Sequence, residues 1–313
     1  MSAPAGEPSG TPARDAPVIL VTGADGQVGW EARRALAPLG RVVAVGRSDV
    51  DVADGESLRA LVRRVRPSVI VNAAAYTAVD RAESERELAF AVNAEAPRVL
   101  AEEAARSGAL VVHYSTDYVF DGTKATAYTE EDEPSPLGAY GESKLAGDRA
   151  IVASGAAHLI FRTSWVYAAR GRNFMLTMLR LARERETLRV VSDQRGVPTP
   201  ARLIATTTAS VLGQCVGDGG FSLAEQRSGV YNLTARGVAS WYDFACRILA
   251  LDPRREEQRC RELVPITTAE YPTAARRPAS SVLDVGKVER TFGLRMPSWE
   301  AELERVMGEV GES

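Results

Sequence analysis

Lysine is nearly missing from this chain. It stands at three positions, Lys124, Lys144 and Lys287, among 38 cationic residues, so almost every positive charge is an arginine that cannot release its proton. A lysine is informative where it occurs. Cysteine is also scarce: Cys215, Cys246 and Cys260 are odd in number and lack Cys-x-x-Cys spacing. This argues against a disulfide frame or a zinc site and fits a reducing, cytoplasmic setting. The two histidines, His113 and His158, have no ligand partner at metal-site spacing and read as packed or surface residues. No apolar run approaches the roughly 18 residues needed to span a bilayer, because stretches such as Val18 to Val21 and Val69 to Val71 are soon broken. With a net charge of -3 and scattered cations there is no basic stripe, which sets aside nucleic acid and anionic membranes as main partners. The first sixteen residues are rich in Pro, Gly, Ala and Ser without an apolar core, and read as a disordered tail rather than a secretory signal.

What is present is the composition of a globular protein: 313 residues, 45% hydrophobic and 25% charged. The apolar run at Ala16 to Thr22 predicts a strand, followed by a Gly-rich turn and a helix over Trp30 to Leu39. Further strands are expected at Arg41 to Val45, Pro67 to Asn72, Ala109 to Tyr114 and Ala157 to Phe161. Between them lie helical stretches at Glu56 to Val65, Glu85 to Arg106 and Gly138 to Ala153. Strands alternating with helices imply an α/β fold, a doubly wound parallel sheet of the Rossmann type. Three parts are expected: the tail at 1–16, a dinucleotide-binding domain at 17–162, and a smaller C-terminal lobe at 163–313 for the substrate. Some segments of the lobe are expected to return to the sheet. Its pattern is less regular, with helices at Asn173 to Arg185, Arg202 to Gln214 and Trp241 to Ala250, and strands at Leu188 to Val191 and Gly229 to Leu233.

Three motifs carry chemistry. Gly23, Gly26 and Gly29 follow the first strand with G-x-x-G-x-x-G spacing, which lets backbone approach a pyrophosphate seated on a helix N-terminus. At the end of the second strand Arg47 stands where NAD-binding chains usually carry an acid, which favours the 2′-phosphate of NADPH. Asp49 and Asp51 lie near enough to leave NADH open. Tyr140 and Lys144 are four residues apart on a predicted helix and share a face, so phenol and ammonium can enter one cleft. A neighbouring ammonium is expected to lower the tyrosine pKa from its usual value near ~10. Ser115, Thr116 and Asp117 follow another predicted strand, where ligands of open parallel sheets bind, and Thr116 can hydrogen-bond a substrate carbonyl beside Tyr140.

Six strings together resemble the dTDP-4-dehydrorhamnose reductase family of the extended short-chain dehydrogenases. They are Gly26 to Glu31, Val71 to Asp80, Ser115 to Gly122, Tyr140 to Gly147, Arg162 to Tyr167 and Glu270 to Pro278. The likeness runs from about Val18 to Leu294. It implies hydride transfer from NADPH, with NADH open, to C4 of a dTDP-4-keto-6-deoxysugar. By that resemblance Tyr140 protonates the forming alkoxide, while Lys144 binds the nicotinamide ribose and tunes Tyr140. Thr116, Asp117 and Trp165 match substrate contacts. Gly26, Gln27, Val28, Asp51, Ala73, Ala74 and Ala75 match cofactor positions, to which the turn and the second strand add Gly23, Gly29, Arg47 and the neighbouring Val52. Asn173, Gln194, Thr199 and Arg276 or Arg277 are expected to clamp the nucleotide sugar, an arginine forking onto its pyrophosphate. Some family members use Mg²⁺ at a homodimer contact, for which Glu31 or Glu184 are candidates. Two alternatives remain: a relative acting on another 4-keto sugar, of the dihydrostreptose type, and a non-catalytic regulatory subunit of the methionine adenosyltransferase type.

Overall fold

Five short apolar segments form parallel strands in register: β1 (Val18–Thr22), β2 (Arg41–Val45), β3 (Val69–Asn72), β4 (Leu110–Thr116) and β5 (His158–Thr163). This computed structural model describes residues 16–216, 221 and 223–310, so the expected tail falls outside the described residues except for Ala16. The inner strands β3 and β4 are buried along their whole length, as a parallel sheet covered on both faces requires. Each Val, Ile or Leu buried there contributes about 1.5–3 kcal/mol relative to exposure. Strand β4 runs two residues further than the sequence suggests, because Ser115 and Thr116 pair in register with Arg162 and Thr163. The hydroxyls at the strand's carboxyl end are thus fixed by the sheet itself.

Helices α1 (Gln27–Ala35), α2 (Gly55–Val65), α3 (Ala96–Ser107) and α4 (Ala139–Ala153) supply the crossovers. The approach to α3 is a short helix, Arg86–Phe90, and a π-turn, Ala91–Glu95. The π-turn has a purpose in packing. Asn93 is buried there, accepts from the Tyr76 amide at 2.9 Å and donates to Ser143 Oγ of α4 at 3.0 Å. Gly147 lets α4 lie against it, since a Cβ at that position would meet the Asn93 carbonyl at 2.1 Å. The helix carrying Tyr140 and Lys144 is therefore seated by polar contact and close approach.

Beyond β5 come α5 (Phe174–Glu184), β6 (Thr187–Val191), α6 (Ala201–Gly213), β7 (Gly229–Asn232), α7 (Trp241–Ala250) and β8 (Glu262–Ile266). Two further helices, α8 (Gly286–Phe292) and α9 (Trp299–Val310), were not evident from periodicity. Strand β7 pairs in parallel with β5 and completes a six-stranded sheet in the order β7-β5-β4-β3-β1-β2. Strands β6 and β8 pair with each other in parallel outside that sheet. The segment after β8 then runs back as a strap: Ala275 donates to Asp80, Ser280 to the Gly122 carbonyl, and Ser281 to the Arg195 carbonyl. No helix among the described residues is long and apolar enough to cross a membrane.

Candidate active site

The first wall of the site is the turn between β1 and α1. Gly23 has φ of +70°, and a Cβ there would meet the Ala74 nitrogen at 2.5 Å. At Gly29 a Cβ would meet the Gly23 carbonyl at 2.1 Å. Both positions demand glycine for close backbone approach, and Gly26 closes the turn through its amide to the Gly23 carbonyl at 3.0 Å. Helix α1 has no side-chain cap and no acid in its first turn, so its leading amides face outward without a competing carboxylate. This cradle fits a dinucleotide pyrophosphate. Ala73, Ala74 and Ala75 follow β3 beside it, and the Ala73 amide donates to the Thr22 carbonyl at 3.2 Å. Val28 and Val52 are half-buried and pack under the turn and after β2, respectively.

At the end of β2, Arg47 is exposed and makes no contact among the described residues. Asp51 is also exposed, but its carboxylate accepts from the Ala53 amide at 2.9 Å. Asp49 is likewise engaged, accepting from the Gly46 amide at 2.7 Å.

The second wall is the carboxyl end of β4 with α4. Thr116 donates to Asp117 Oδ1 at 3.0 Å and accepts from the Tyr118 amide at 3.2 Å, and its hydroxyl neighbours the Tyr140 phenol. The Tyr140 ring lies edge-on to Tyr118, with centroids 5.7 Å apart. Burial pushes the Tyr140 phenol up to about 12, against the lowering by Thr116. The expectation that Lys144 lowers it does not hold in this structure. Lys144 is buried and turned away to the strand, where Nζ donates to the Tyr114 carbonyl at 2.6 Å and lies 3.0 Å from His113 Nε2. Burial brings the Lys144 ammonium down to about 8, with Asp148 pulling it back up. Asp117 is also buried, and desolvation raises its carboxyl to about 7, against the lowering by the neighbouring Ser281 and by the hydrogen bond from Thr116.

The lobe forms the third wall. Trp165 has φ of +45°, a strained conformation for a bulky residue. Its indole stacks on Trp241 with centroids 3.6 Å apart and planes 6° from parallel. A Cβ on Gly196 would meet Trp165 Cε2 at 2.4 Å, so Gly196 backbone covers the ring as well. With Trp241 on one face and Gly196 against the ring, Trp165 leaves its edge rather than an open face uncovered.

Several expected clamp residues are committed elsewhere. Asn173 caps α5 through the Leu176 amide at 3.0 Å and donates to Gln27 Oε1 at 2.9 Å, joining the lobe to the Gly-rich turn. Gln194 links Trp241 Nε1 at 3.2 Å and Thr268 at 3.1 Å. Thr199 is fully buried and bonded to backbone at Val197 and Ala235. Arg277 forks onto Asp80 at 2.7 and 2.9 Å, which leaves the exposed Arg276 as the free guanidinium beside a small cavity it lines with Tyr118, Tyr140 and Pro278. Sequence reasoning had no signal for these commitments, since the partners lie far apart in the chain.

The proposed Mg²⁺ ligands find no support. Glu31 pairs with Arg202 at 3.3 Å and Glu184 with Arg180 at 2.7 Å, and among the described residues no group of three or more acids, histidines or cysteines could hold a metal. A cavity of about 850 Å³ lies at the amino ends of the strands, beside Ser68, Leu110 and Ala157. Ligands of open α/β sheets bind at the other end, where Tyr140 and the Gly-rich turn meet.

The chain is similar to known proteins over nearly its whole length. Residues 17–311 match the family described as RmlD substrate binding domain. The dTDP-4-dehydrorhamnose reductase of Burkholderia thailandensis is 50% identical over 287 residues, covering 90% of this chain and 95% of that protein. The enzyme of the same name from Escherichia coli K12 is 45% identical over 303 residues, covering 93% and 97%. The crystal structure of dTDP-4-dehydrorhamnose reductase from Bacillus anthracis in complex with NADP superposes with a TM-score of 0.83 at 33% identity, covering 94% of this chain and 99% of that one.

Proposed function

Because the chain belongs to the RmlD substrate binding domain family, we propose that it is an NADPH-dependent oxidoreductase that reduces the C4 ketone of dTDP-4-dehydro-L-rhamnose to dTDP-L-rhamnose. The observation that carries this reading is the glycine cradle fitted to a dinucleotide at the carboxyl ends of the strands, with Thr116 and the Tyr140 phenol as neighbours at the end of β4. When bound, the nicotinamide supplies the hydride. Gly23, Gly26, Gln27, Val28 and Gly29 would hold its pyrophosphate, with Ala73, Ala74 and Ala75 along the same edge. Arg47, free of any partner among the described residues, would meet the 2′-phosphate, whereas Asp49 and Asp51 are already engaged.

The substrate ketone gains negative charge on oxygen as its carbon is reduced, so the site must already hold a donor there. Tyr140 is that donor. A phenol kept protonated by burial, with its pKa near 12, is suited to giving a proton to an alkoxide, which is the stronger base. Thr116, beside the same phenol, would help to place the ketone oxygen there. Asp117 lies beside Thr116 and can bind a sugar hydroxyl, and its raised pKa lets it do so as acid or carboxylate. Lys144 would offer the ribose the one ammonium N–H that its bonds to the Tyr114 carbonyl and the His113 ring leave over. Trp165 would close the sugar side with its edge, and Arg276 would meet the substrate pyrophosphate.

The test is consumption of NADPH with dTDP-4-dehydro-L-rhamnose made in situ, with identification of the product. Rapid oxidation yielding dTDP-L-rhamnose is the expected result. Cofactor binding without oxidation would refute the substrate assignment and direct the search to other 4-keto nucleotide sugars.

A further inference from the structure

A line of uncharged polar side chains crosses beneath the active site. Thr22 at the end of β1 donates through Oγ1 to Asn72 Oδ1 at 2.7 Å, and Asn72 Nδ2 on β3 lies 3.1 Å from His113 Nδ1 on β4. His113 Nε2 then lies 3.0 Å from Lys144 Nζ on α4. All four residues are at most 2% exposed, so no water competes for these groups. The line begins at the residue directly before Gly23 and ends at the one buried lysine among the described residues.

The directions of these hydrogen bonds are not independent. If Asn72 donates to Nδ1, the neutral imidazole carries its proton on Nε2 and must donate to Lys144, which requires a lone pair on Nζ. If Lys144 is an ammonium, it has no lone pair and must donate, so Nε2 accepts, the ring proton sits on Nδ1, and the Asn72 amide presents its oxygen to the ring. An amide fills the same volume either way round. Only these two settings satisfy the imidazole from both sides.

We propose that His113 is a positioning residue for Lys144, and that the Thr22, Asn72 and His113 line reverses its hydrogen-bond direction as a unit when Lys144 gains or loses its proton. The lysine thereby keeps its place at the Tyr114 carbonyl in both charge states. The imidazole itself stays neutral, held there by burial and by the adjacent ammonium. The charged groups facing this pair are few. Asp148 on α4 has Oδ1 3.9 Å from His113 Nε2, and Arg162 on β5 stands behind it with Nε 3.6 Å from Asp148 Oδ2. Tyr140 lies one turn earlier on α4, while β1 and β3 contribute the uncharged Thr22 and Asn72. Asp148 favours the ammonium and Arg162 tempers that effect. The role proposed for His113 gains its use from the reductase reading, but the switch itself needs neither substrate nor cofactor.

The experiment is a pH titration of the full chain labelled with ¹⁵N in its histidine rings. The chain has two histidines, so two sets of ring signals suffice, and a His158→Gln variant assigns them. His113 is expected to remain neutral from pH 6 upward and to move from the Nδ1–H to the Nε2–H tautomer as pH rises, with a midpoint near 8, where Lys144 titrates. In Lys144→Arg, whose guanidinium always donates, the Nδ1–H tautomer is expected at every pH. Lys144→Met serves if that variant fails to fold, and its tautomer ratio is expected not to change with pH. A single tautomer throughout in the wild-type chain, an imidazolium above pH 6, or a tautomer change that persists in the lysine variants would overturn the proposal. Since no turnover is measured, these outcomes are separate from failure of the keto-sugar assay.

Discussion

The floor and the roof of the site are built by different means. The floor consists of strand ends and the Gly-rich turn, where neighbouring backbones fix Thr22, Asn72, His113 and Thr116 by parallel register. The roof consists of the lobe and the strap, where single side-chain contacts hold the parts: the Trp165 and Trp241 stack, the Arg277 fork on Asp80, and Asp193 accepting from Thr268. Register is shared by many hydrogen bonds, while a latch depends on one or two. The difference suits the tasks proposed for them, since a cradle for a cofactor would have to hold its shape and a cover over a substrate would have to admit and release it.

Substitutions can separate the two. The largest effect is expected for Tyr140→Phe on the floor: turnover should fall by about 10²–10⁴-fold, the usual contribution of a positioned proton donor, while NADPH affinity measured by fluorescence is unchanged. Comparable loss of cofactor binding would show that the phenol also supports the cradle. On the roof, Trp241→Ala removes the stack that holds Trp165 at positive φ. A stability loss of about 1.5–3 kcal/mol is expected by denaturant titration, since Trp241 is only partly buried. The accompanying rise should appear in KM for the sugar and not in Kd for NADPH, and an equal change in both would erase the distinction between the walls.

Smaller still is the effect of Arg277→Gln. The pair with Asp80 is partly exposed, so about 1 kcal/mol or less of stability is at stake. Faster proteolysis of the strap and a higher KM are the expected readouts, with kcat nearly unchanged. The last prediction concerns pH. Asp117 binds its proton more tightly in the folded chain, with a pKa raised from 3.8 to about 7, so its contribution to stability is present at low pH and is lost as pH rises between those values. Lys144 acts oppositely: its pKa is lowered from 10.5 to about 8, so stability lost below 8 returns as pH rises toward 10.5. Asp117→Asn should flatten the fall between pH 4 and 7 in thermal melts and leave the alkaline rise intact.

Much of the floor was legible in the sequence because its signals are local. The strands, the glycine spacing and the Tyr140 and Lys144 pair each sit within a few residues, and the expected strand Arg41 to Val45 matches β2 to the residue. The roof was less legible. Helices α8 and α9 and strand β8 carry mixed, short patterns, and their burial comes from partners far along the chain. His113 reads from sequence as a packed or surface residue, and it is fully buried, yet its ring meets a lysine 31 positions away that no periodicity connects to it. The tuning of Tyr140 failed for a similar reason. Helical spacing puts Lys144 on the right face, but the Tyr114 carbonyl and the His113 ring, supplied by another strand, draw its ammonium aside.

The strap also sets an order of events during synthesis. The glycine cradle, Thr116 and the helix bearing Tyr140 all precede residue 154, whereas the contacts that close the site over them come from residues 275–281. Strand β7, which completes the sheet beside β5, emerges between these two stages. On the proposed reading, the residues that would hold the cofactor leave the ribosome well before those that would cover a sugar. Dinucleotide captured at that stage would stabilise the half-finished sheet by mass action, which would tie the yield of finished chain to the supply of cofactor.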